Sequence, residues 1–355
     1  MKKILTMLML IVSAFTLASC KEADLKILIW GEYIDDTIVP AFQKEFGVRV
    51  KLVQFESNES AITKMKTEKF DLIVPSDYAA EQMIEEDLIL PIDWSKIPNL
   101  NKETDLADEL KNIFERVKND PRDPVDLLEY MVPYFWGNVG ILYNKEKISL
   151  EELEEKQWDI FKKTDIKTVM YDSSRDGFMI ALMQLGYSPN TINVDELKEA
   201  EAYLASIAKQ SNVVFLTDEI LDDMKVPRYD MSLTYSGDAI YIMSEQPKLD
   251  FYVPTIGANI WADGFVIPKN ARNVELAHEF INYVSSYESA LKNTEFVMYQ
   301  TPRKDVYEYM ISEESELYEF RHVYQVKMNP NDEIYRYNKG AKTFMDDAWA
   351  RIRTS

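Results

Sequence analysis

Cysteine is almost missing from this sequence: Cys20 is the only one in 355 residues. It lies so near the N-terminus that the rest of the chain can hold no disulfide, no cysteine nucleophile and no thiolate metal site. Histidine is nearly as scarce, with only His278 and His322, which stand apart on helix-like segments. There is no H-E-x-x-H zinc helix, and His278, four residues after Val274 and three before Ile281, reads as a helix-face residue. A Gly-rich phosphate loop and a G-x-S-x-G elbow are also missing, which leaves the common nucleotide-binding and hydrolase signatures unfilled. The 61 acidic residues guarantee many carboxylate pairs, so a pair at glycosidase spacing carries little weight. An enzyme is therefore not expected, nor is a metal or a cofactor. No internal repeat, low-complexity block or long Gly/Ser linker occurs. Past residue 19 no apolar run approaches the roughly 18 residues that a transmembrane helix requires.

What is present begins with Lys2 and Lys3, an apolar run over 4–15, and the small-residue exit Leu17-Ala18-Ser19 before Cys20. That order is the grammar of a signal peptide over 1–19. The residues around the exit resemble the bacterial lipobox, which implies cleavage before Cys20, lipidation of its thiol and a tether over 20–24. The expected location is extracytoplasmic, periplasmic or cell-surface, with the N-terminal lipid as the only membrane attachment. An exported chain without disulfides needs a large core, and 46% hydrophobic residues at this length supply one. The length itself suggests two domains. Formal net charge is −21, or −23 without Lys2 and Lys3. Such a surface repels nucleic acid and anionic lipid and favours cations, although solubility alone would also account for it.

Along the chain, 25–30 reads as a strand, and Ile38, Phe42 and Phe46 recur every fourth residue, as on a helix face closed by Gly47. A strand over 48–55, a short helix marked by Ile62 and Met65, and a buried strand over 70–74 complete a βαβαβ pattern, hence a parallel sheet covered by helices. A second α/β set begins after Tyr134. Strands are expected over 166–170, 213–216, 231–235 and 251–253, with helices over 178–185 and 194–209. An extended piece over 264–268 then leads to helices over 274–283, 288–298 and 342–351. The fold class is thus α/β with two sheets, one per lobe, joined by short ordered crossings.

Ligands of open parallel sheets bind in the crevice beyond the carboxyl ends of the strands. The first strand exits into Trp30-Gly31-Glu32-Tyr33 and the third into Pro75-Ser76-Asp77-Tyr78. The strand over 166–170 leads to Asp172-Ser173-Ser174-Arg175-Asp176-Gly177, and 231–235 runs through Tyr235 into Ser236-Gly237-Asp238. Each exit joins aromatic or hydroxyl groups to a carboxylate. Aromatic faces can cover methylenes and attract cations at about 0.5–2 kcal/mol each, while carboxylates take charge-assisted hydrogen bonds of about 1.5–3 kcal/mol. An alkyl chain bearing ammonium groups matches that composition. An anion receptor would want arginines, and Arg175 is the only one at these exits. Sugar receptors also combine aromatic platforms with acids, so a sugar or another small polar solute stays open on these residues alone.

At Trp30-Gly31-Glu32-Tyr33, Glu56-Ser57-Asn58-Glu59, Val74-Pro75-Ser76-Asp77-Tyr78, Pro133-Tyr134-Phe135-Trp136-Gly137, Leu185-Gly186-Tyr187-Ser188, Ile260-Trp261-Ala262-Asp263-Gly264 and Tyr299-Gln300-Thr301-Pro302, the chain resembles the spermidine/putrescine-binding proteins of polyamine ABC transporters. The segments occur in family order and cover nearly all of the chain past the signal. The resemblance implies a periplasmic-binding-protein fold, two α/β lobes, each a mixed or parallel sheet flanked by helices, with the ligand cleft between them. One lobe would comprise 25–133 plus 263–307 and the other 134–262 plus 308–355. It further implies a monomer that binds putrescine or spermidine and delivers it to the permease subunits.

By the same resemblance Trp30, Glu32 and Tyr33 form one aromatic-acid cluster, Ser76 and Tyr78 a second wall, and Trp261 and Asp263 a stacking and amine-holding unit. Tyr299 is a further cleft tyrosine, and Asp176 is the second-lobe carboxylate. The chain departs from the spermidine-type pattern at Ser173, which stands where those members have an aspartate. It departs again where Tyr235 is followed by Asp238, an acid at an offset that resembles the putrescine-specific branch. A glutamine of the family near the C-terminus finds no counterpart between Ile334 and Gly340.

Overall fold

The computed structural model describes residues 23–217 and 219–354. The signal segment 1–19 and the lipidation site Cys20 lie outside the described residues. No helix among the described residues is long and apolar enough to cross a membrane.

Among the described residues there are eleven strands: β1 (Leu25–Trp30), β2 (Val50–Phe55), β3 (Leu72–Ile73), β4 (Ile89–Leu90), β5 (Val132–Asn144), β6 (Thr168–Tyr171), β7 (Val213–Leu216), β8 (Met231–Tyr235), β9 (Leu249–Tyr252), β10 (Ile260–Phe265) and β11 (Ile267–Pro268). The first sheet runs β2-β1-β3 and is parallel throughout, with Leu25 opposite Val50 and Ile27 opposite Leu72. Central β1 is apolar on both faces, because helices cover it on each side. Leu25, Ile27, Leu28 and Ile29 are all buried. The crossovers are the helices Ile38–Phe46 and Asn58–Thr67. Ile38 and Phe42 pin the first to the sheet, and Gly47, at φ +66°, ends it in the left-handed conformation that glycine adopts without strain. The βαβαβ reading of this half is therefore correct in type and order.

The second sheet has six strands on the path β10-β5-β8-β6-β7, with β9 also paired to β5. It is mixed: β6 lies parallel to β7 and β8, while β5 is antiparallel to β8, β9 and β10. The spine, β5, was not anticipated from the sequence. It is 13 residues long and almost entirely buried, so it shows no alternation, and Pro133, Gly137 and Gly140 break its β-propensity. Three other boundaries move. The extended piece expected over 264–268 begins at Ile260. The helix expected over 178–185 spans Ser174–Gln184, so Asp176 sits in a first helical turn capped by Ser173. The residues after Tyr235 form the helix Ser236–Glu245.

Strand β10 belongs to both halves. It pairs with β5 along one edge, while on the other Ser76 bridges to Asp263 and, just past the strand's end, Ile73 bridges to Val266. His278 is buried. Its Nδ1 lies 2.8 Å from the Val274 carbonyl, and the Asp93 amide donates to Nε2 at 3.1 Å. These contacts describe a neutral ring tying the Val274–Val284 helix to a loop, in agreement with a helix-face role.

A second tie between the halves is Arg336. Its backbone N–H donates to Asn190 in the 188–190 loop, while its guanidinium reaches the helix Asp77–Glu85, meeting Glu81 at 2.7 Å and Asp120 at 3.0 Å. The Arg336 and Glu81 side chains are only 11% and 6% exposed, so neither charge is hydrated. Arg122 first, and Arg336 in addition, hold the Asp120 carboxyl down at about 2. Removing one member of a buried pair strands the other without compensation. Arg336→Gln is accordingly expected to lower the unfolding free energy by about 3 kcal/mol, measured by urea titration followed by circular dichroism; a loss below about 1 kcal/mol would show the pair to be a surface contact.

Candidate functional site

The strand exits nominated from the sequence converge on one face of β10. Trp261 and Asp263 are two residues apart on this strand, so both side chains leave the same face. Asp263 is held in place from both sides, by Phe135 of β5 and by Ser76 beyond β3. Between them the Ala262 amide donates to the Asp77 carboxylate at 2.8 Å. Asp77 is itself fully enclosed, and burial, with Asp263 nearby, pushes its carboxyl well up.

Tyr33 reaches Asp263 from the exit of β1, donating its hydroxyl to Oδ2 at 2.8 Å, and its own carbonyl accepts from the Tyr134 hydroxyl at 2.9 Å. Burial raises the Asp263 carboxyl to about 6, against the lowering effect of the Ser76 and Tyr33 hydroxyls. Asp263 is 5% exposed, and its Oδ1 has no hydrogen-bond partner. A buried carboxylate oxygen without a donor is costly, and few native polar groups are left so.

Aromatic rings surround this carboxylate. Trp261 meets Tyr299 edge-on at 4.8 Å and Tyr235 at 5.9 Å, while Tyr33 lies 6.1 Å from Tyr299. The Tyr299 ring comes this close to the Ser236–Glu245 helix only because residue 237 is glycine: a Cβ there would sit 2.4 Å from the ring. Burial, and then its hydrogen-bonded neighbour Asp238, push the Tyr299 hydroxyl well up. Tyr299 is anchored through the next residue, Gln300, whose carbonyl accepts from Trp136 of β5 at 3.0 Å and whose side chain accepts from Ser236 at 3.0 Å.

Asp176 forms the far side. The Tyr235 hydroxyl donates to Oδ2 at 2.9 Å and the Tyr335 hydroxyl to Oδ1 at 3.0 Å. Burial raises this carboxyl too, opposed by Ser173, by the two tyrosines and by Arg175. Ser76 and Tyr78 form the opposite wall, set by a residue that the strand-exit rule did not nominate. Asn58, 4% exposed at the start of the Asn58–Thr67 helix, donates to the Ser76 hydroxyl at 3.0 Å and the Tyr78 hydroxyl at 2.9 Å.

The structure thus brings Tyr33, Tyr235, Trp261 and Tyr299 together with Asp176, Asp238 and Asp263, and places Ser76 and Tyr78 beside them. Two nominated residues sit differently. Trp30 is half-buried, packed on Phe55 at 4.3 Å with its indole N–H unpartnered. Glu32 is exposed, in a turn at φ +49° that non-glycine residues seldom occupy. Tyr335 and Asn58 are the contributors that sequence reasoning missed as site residues. Tyr335 lies in the very stretch where no counterpart could be assigned, and Asn58 is a buried amide inside a segment that only the resemblance had marked. Chemically, the arrangement is a largely buried aromatic cage with three carboxylates and one unpartnered acceptor. It suits a cation carrying N–H groups on an apolar stem.

The profile of the bacterial extracellular solute-binding proteins matches residues 37–319. The spermidine/putrescine-binding periplasmic protein of Salmonella typhimurium is 31% identical over 279 residues, 77% of this chain and 76% of its own. The putrescine-binding periplasmic protein SpuD of Pseudomonas aeruginosa is 29% identical over 315 residues, 83% of each chain. Among solved structures, the spermidine/putrescine ABC transporter substrate-binding protein PotD of Streptococcus pneumoniae superposes with a TM-score of 0.73 at 29% identity, covering 93% of this chain and 98% of that one. The TpPotD lipoprotein of Treponema pallidum shares the fold, with a TM-score of 0.77 at 24% identity over 93% and 99% of the two chains.

The raised carboxyl of Asp263 has a measurable cost. An acid whose folded value lies above its unfolded one near 3.8 contributes stability that is fully present below that pH and lost as pH rises through about 6. Asp263→Asn removes the charge and keeps an acceptor for Tyr33. Ligand-free Asp263→Asn is expected to exceed the wild type in stability by about 3 kcal/mol at pH 8 and by well under about 1 kcal/mol at pH 4. Urea titrations at the two pH values check this, and a variant less stable than wild type at pH 8 would show the carboxylate to be structural.

Proposed function

We propose that this chain, which belongs to the family of bacterial extracellular solute-binding proteins, is the polyamine-capturing component of an ABC transporter. The observation that carries the reading is Asp263: a buried, unpartnered carboxylate oxygen in the middle of an aromatic cage. A sugar hydroxyl donating to that oxygen leaves its charge uncompensated, whereas an ammonium group both donates and neutralises it and has its methylenes covered by Trp261, Tyr235 and Tyr299. The names of the relatives support the same ligand class.

In the mechanism proposed, 25–133 plus 263–307 and 134–262 plus 308–355 act as two lobes that close on the ligand. Asp263, Asp176 and Asp238 share the amines, and Glu32, exposed at the exit of β1, meets the far end of the chain as it enters. Closure covers the alkyl stem and presents a fixed surface to the permease subunits. The protein works as a monomer, held beside its membrane partner by a lipid on Cys20.

Calorimetry on the untethered protein tests the assignment with putrescine, spermidine, maltose and phosphate. Saturable heat is expected with at least one polyamine, and saturation by maltose alone would sink the reading. Asp263→Asn is expected to weaken polyamine binding by about 2 kcal/mol or more, the cost of truncating a buried charge pair. Because the cation needs Asp263 ionised, wild-type affinity should hold level above pH 6 or so and fall by roughly tenfold per unit below it. Asp176, also raised, steepens that fall. In a separate test, Asp238→Ser should cost putrescine more than spermidine, and equal losses would remove Asp238 from ligand choice.

A further inference from the structure

Arg175 stands in the first turn of the helix Ser174–Gln184 and brings its guanidinium against the first turn of the helix Asp77–Glu85. Its Cζ lies 4.1 Å from the centroid of the Tyr78 ring and 5.5 Å from that of Tyr335. The two rings meet at 6.3 Å and 73°, forming a corner with Arg175 inside it. One Nη donates to the Arg336 carbonyl at 3.3 Å, and the buried Nε has no partner. Asp176, the next residue, has its oxygens engaged by the Tyr235 and Tyr335 hydroxyls.

Two aromatic faces beside a carboxylate make the surroundings that an alkylammonium seeks. In this corner the chain supplies its own cation. A guanidinium is well suited to stay there, because it is planar, weakly hydrated and always charged, and it stacks on rings. A ligand amine reaching the corner meets like charge, and to enter it must break two cation–π contacts and a hydrogen bond.

We propose that Arg175 is a specificity-determining residue: it fills the Tyr78–Tyr335 corner, leaves the cage around Asp263 as the main seat for ammonium, and so selects short diamines over longer triamines. The inference rests on the polyamine reading and deepens it. Tyr78 then serves two partners, since Asn58 fixes its hydroxyl while its ring face holds Arg175. The wall expected to contact ligand directly instead acts on it through an arginine.

Arg175→Met keeps the apolar stem and removes the charge. Calorimetry with putrescine and spermidine on wild type and variant is expected to show wild type binding putrescine at least tenfold tighter than spermidine. In Arg175→Met that ratio should shrink by at least tenfold. An unchanged ratio, or a wild type that prefers spermidine, overturns the proposal while leaving polyamine capture intact; no heat with either amine on wild type overturns both. Should Arg175→Met fail to fold, wild type alone decides the matter through a series of α,ω-diamines of increasing length. Affinity is expected to pass through a maximum at short chains and drop tenfold or more beyond it, and a steady rise with length would overturn the proposal.

Discussion

One strand pairing governs the rest of the molecule. β10 lies against β5 along one edge and against the exit of β3 along the other, so the two sheets share it. Its middle residue, Ala262, is tied by its amide to the enclosed Asp77. With both edges occupied, the strand cannot slide, and a shift of one residue would turn Trp261 and Asp263 to the wrong face. The aromatic cage assembles around that fixed point: Tyr33 arrives from β1, Tyr235 from β8, and Tyr299 through Gln300 on β5. Residues far apart in the chain meet because the backbone hydrogen bonds of a single strand place them.

In the proposed binding role, the cage trades stability for recognition. Aromatic surface shields Asp263 from water, which strengthens any interaction it makes with a cation and penalises it when it makes none. Tyr33 donates to one oxygen, and the other has no hydrogen-bond partner, with the Ser76 hydroxyl near the carboxyl. Asp176 is treated in the opposite way, with both oxygens engaged by tyrosines and the helix cap completed by Ser173. In the proposed binding role the two carboxylates therefore do different work: Asp263 meets an incoming charge with a bare oxygen, while Asp176, fixed by its tyrosines, adds a second negative charge for the amines. Gly237 shows how closely that wall is drawn, since a single added carbon would collide with Tyr299.

Much of this was legible in the chain, and the part that was not has physical reasons. The parallel first sheet follows from apolar spacing and from Gly47, and the strand-exit rule points to Tyr33, Ser76, Tyr78, Asp176, Tyr235 and Asp238. Trp261, Asp263 and Tyr299 came from the resemblance, because β10 is buried from end to end and lacks a readable period. β5 escaped for the same reason, compounded by its proline and glycines. Glu32 had the right chemistry, but its exposed turn depends on a left-handed backbone that side-chain type does not reveal. Asn58 and Tyr335 reach the site through contacts 18 or more residues away in sequence, which a local pattern cannot encode.

The crossing between the sheets also decides how such a body can deform. A loop hinge swivels about one or two bonds, but β5 and β10 form a continuous hydrogen-bonded ribbon whose register shifts between Asp263 and Gly264. A bulge is where a ladder bends most easily. The ribbon therefore has its most readily bent point beside the anionic residue of the cage. In the proposed binding role, flexing it turns that charge relative to the rest of the cage, so the grip on a cation and the curvature of the ribbon become one mechanical coordinate.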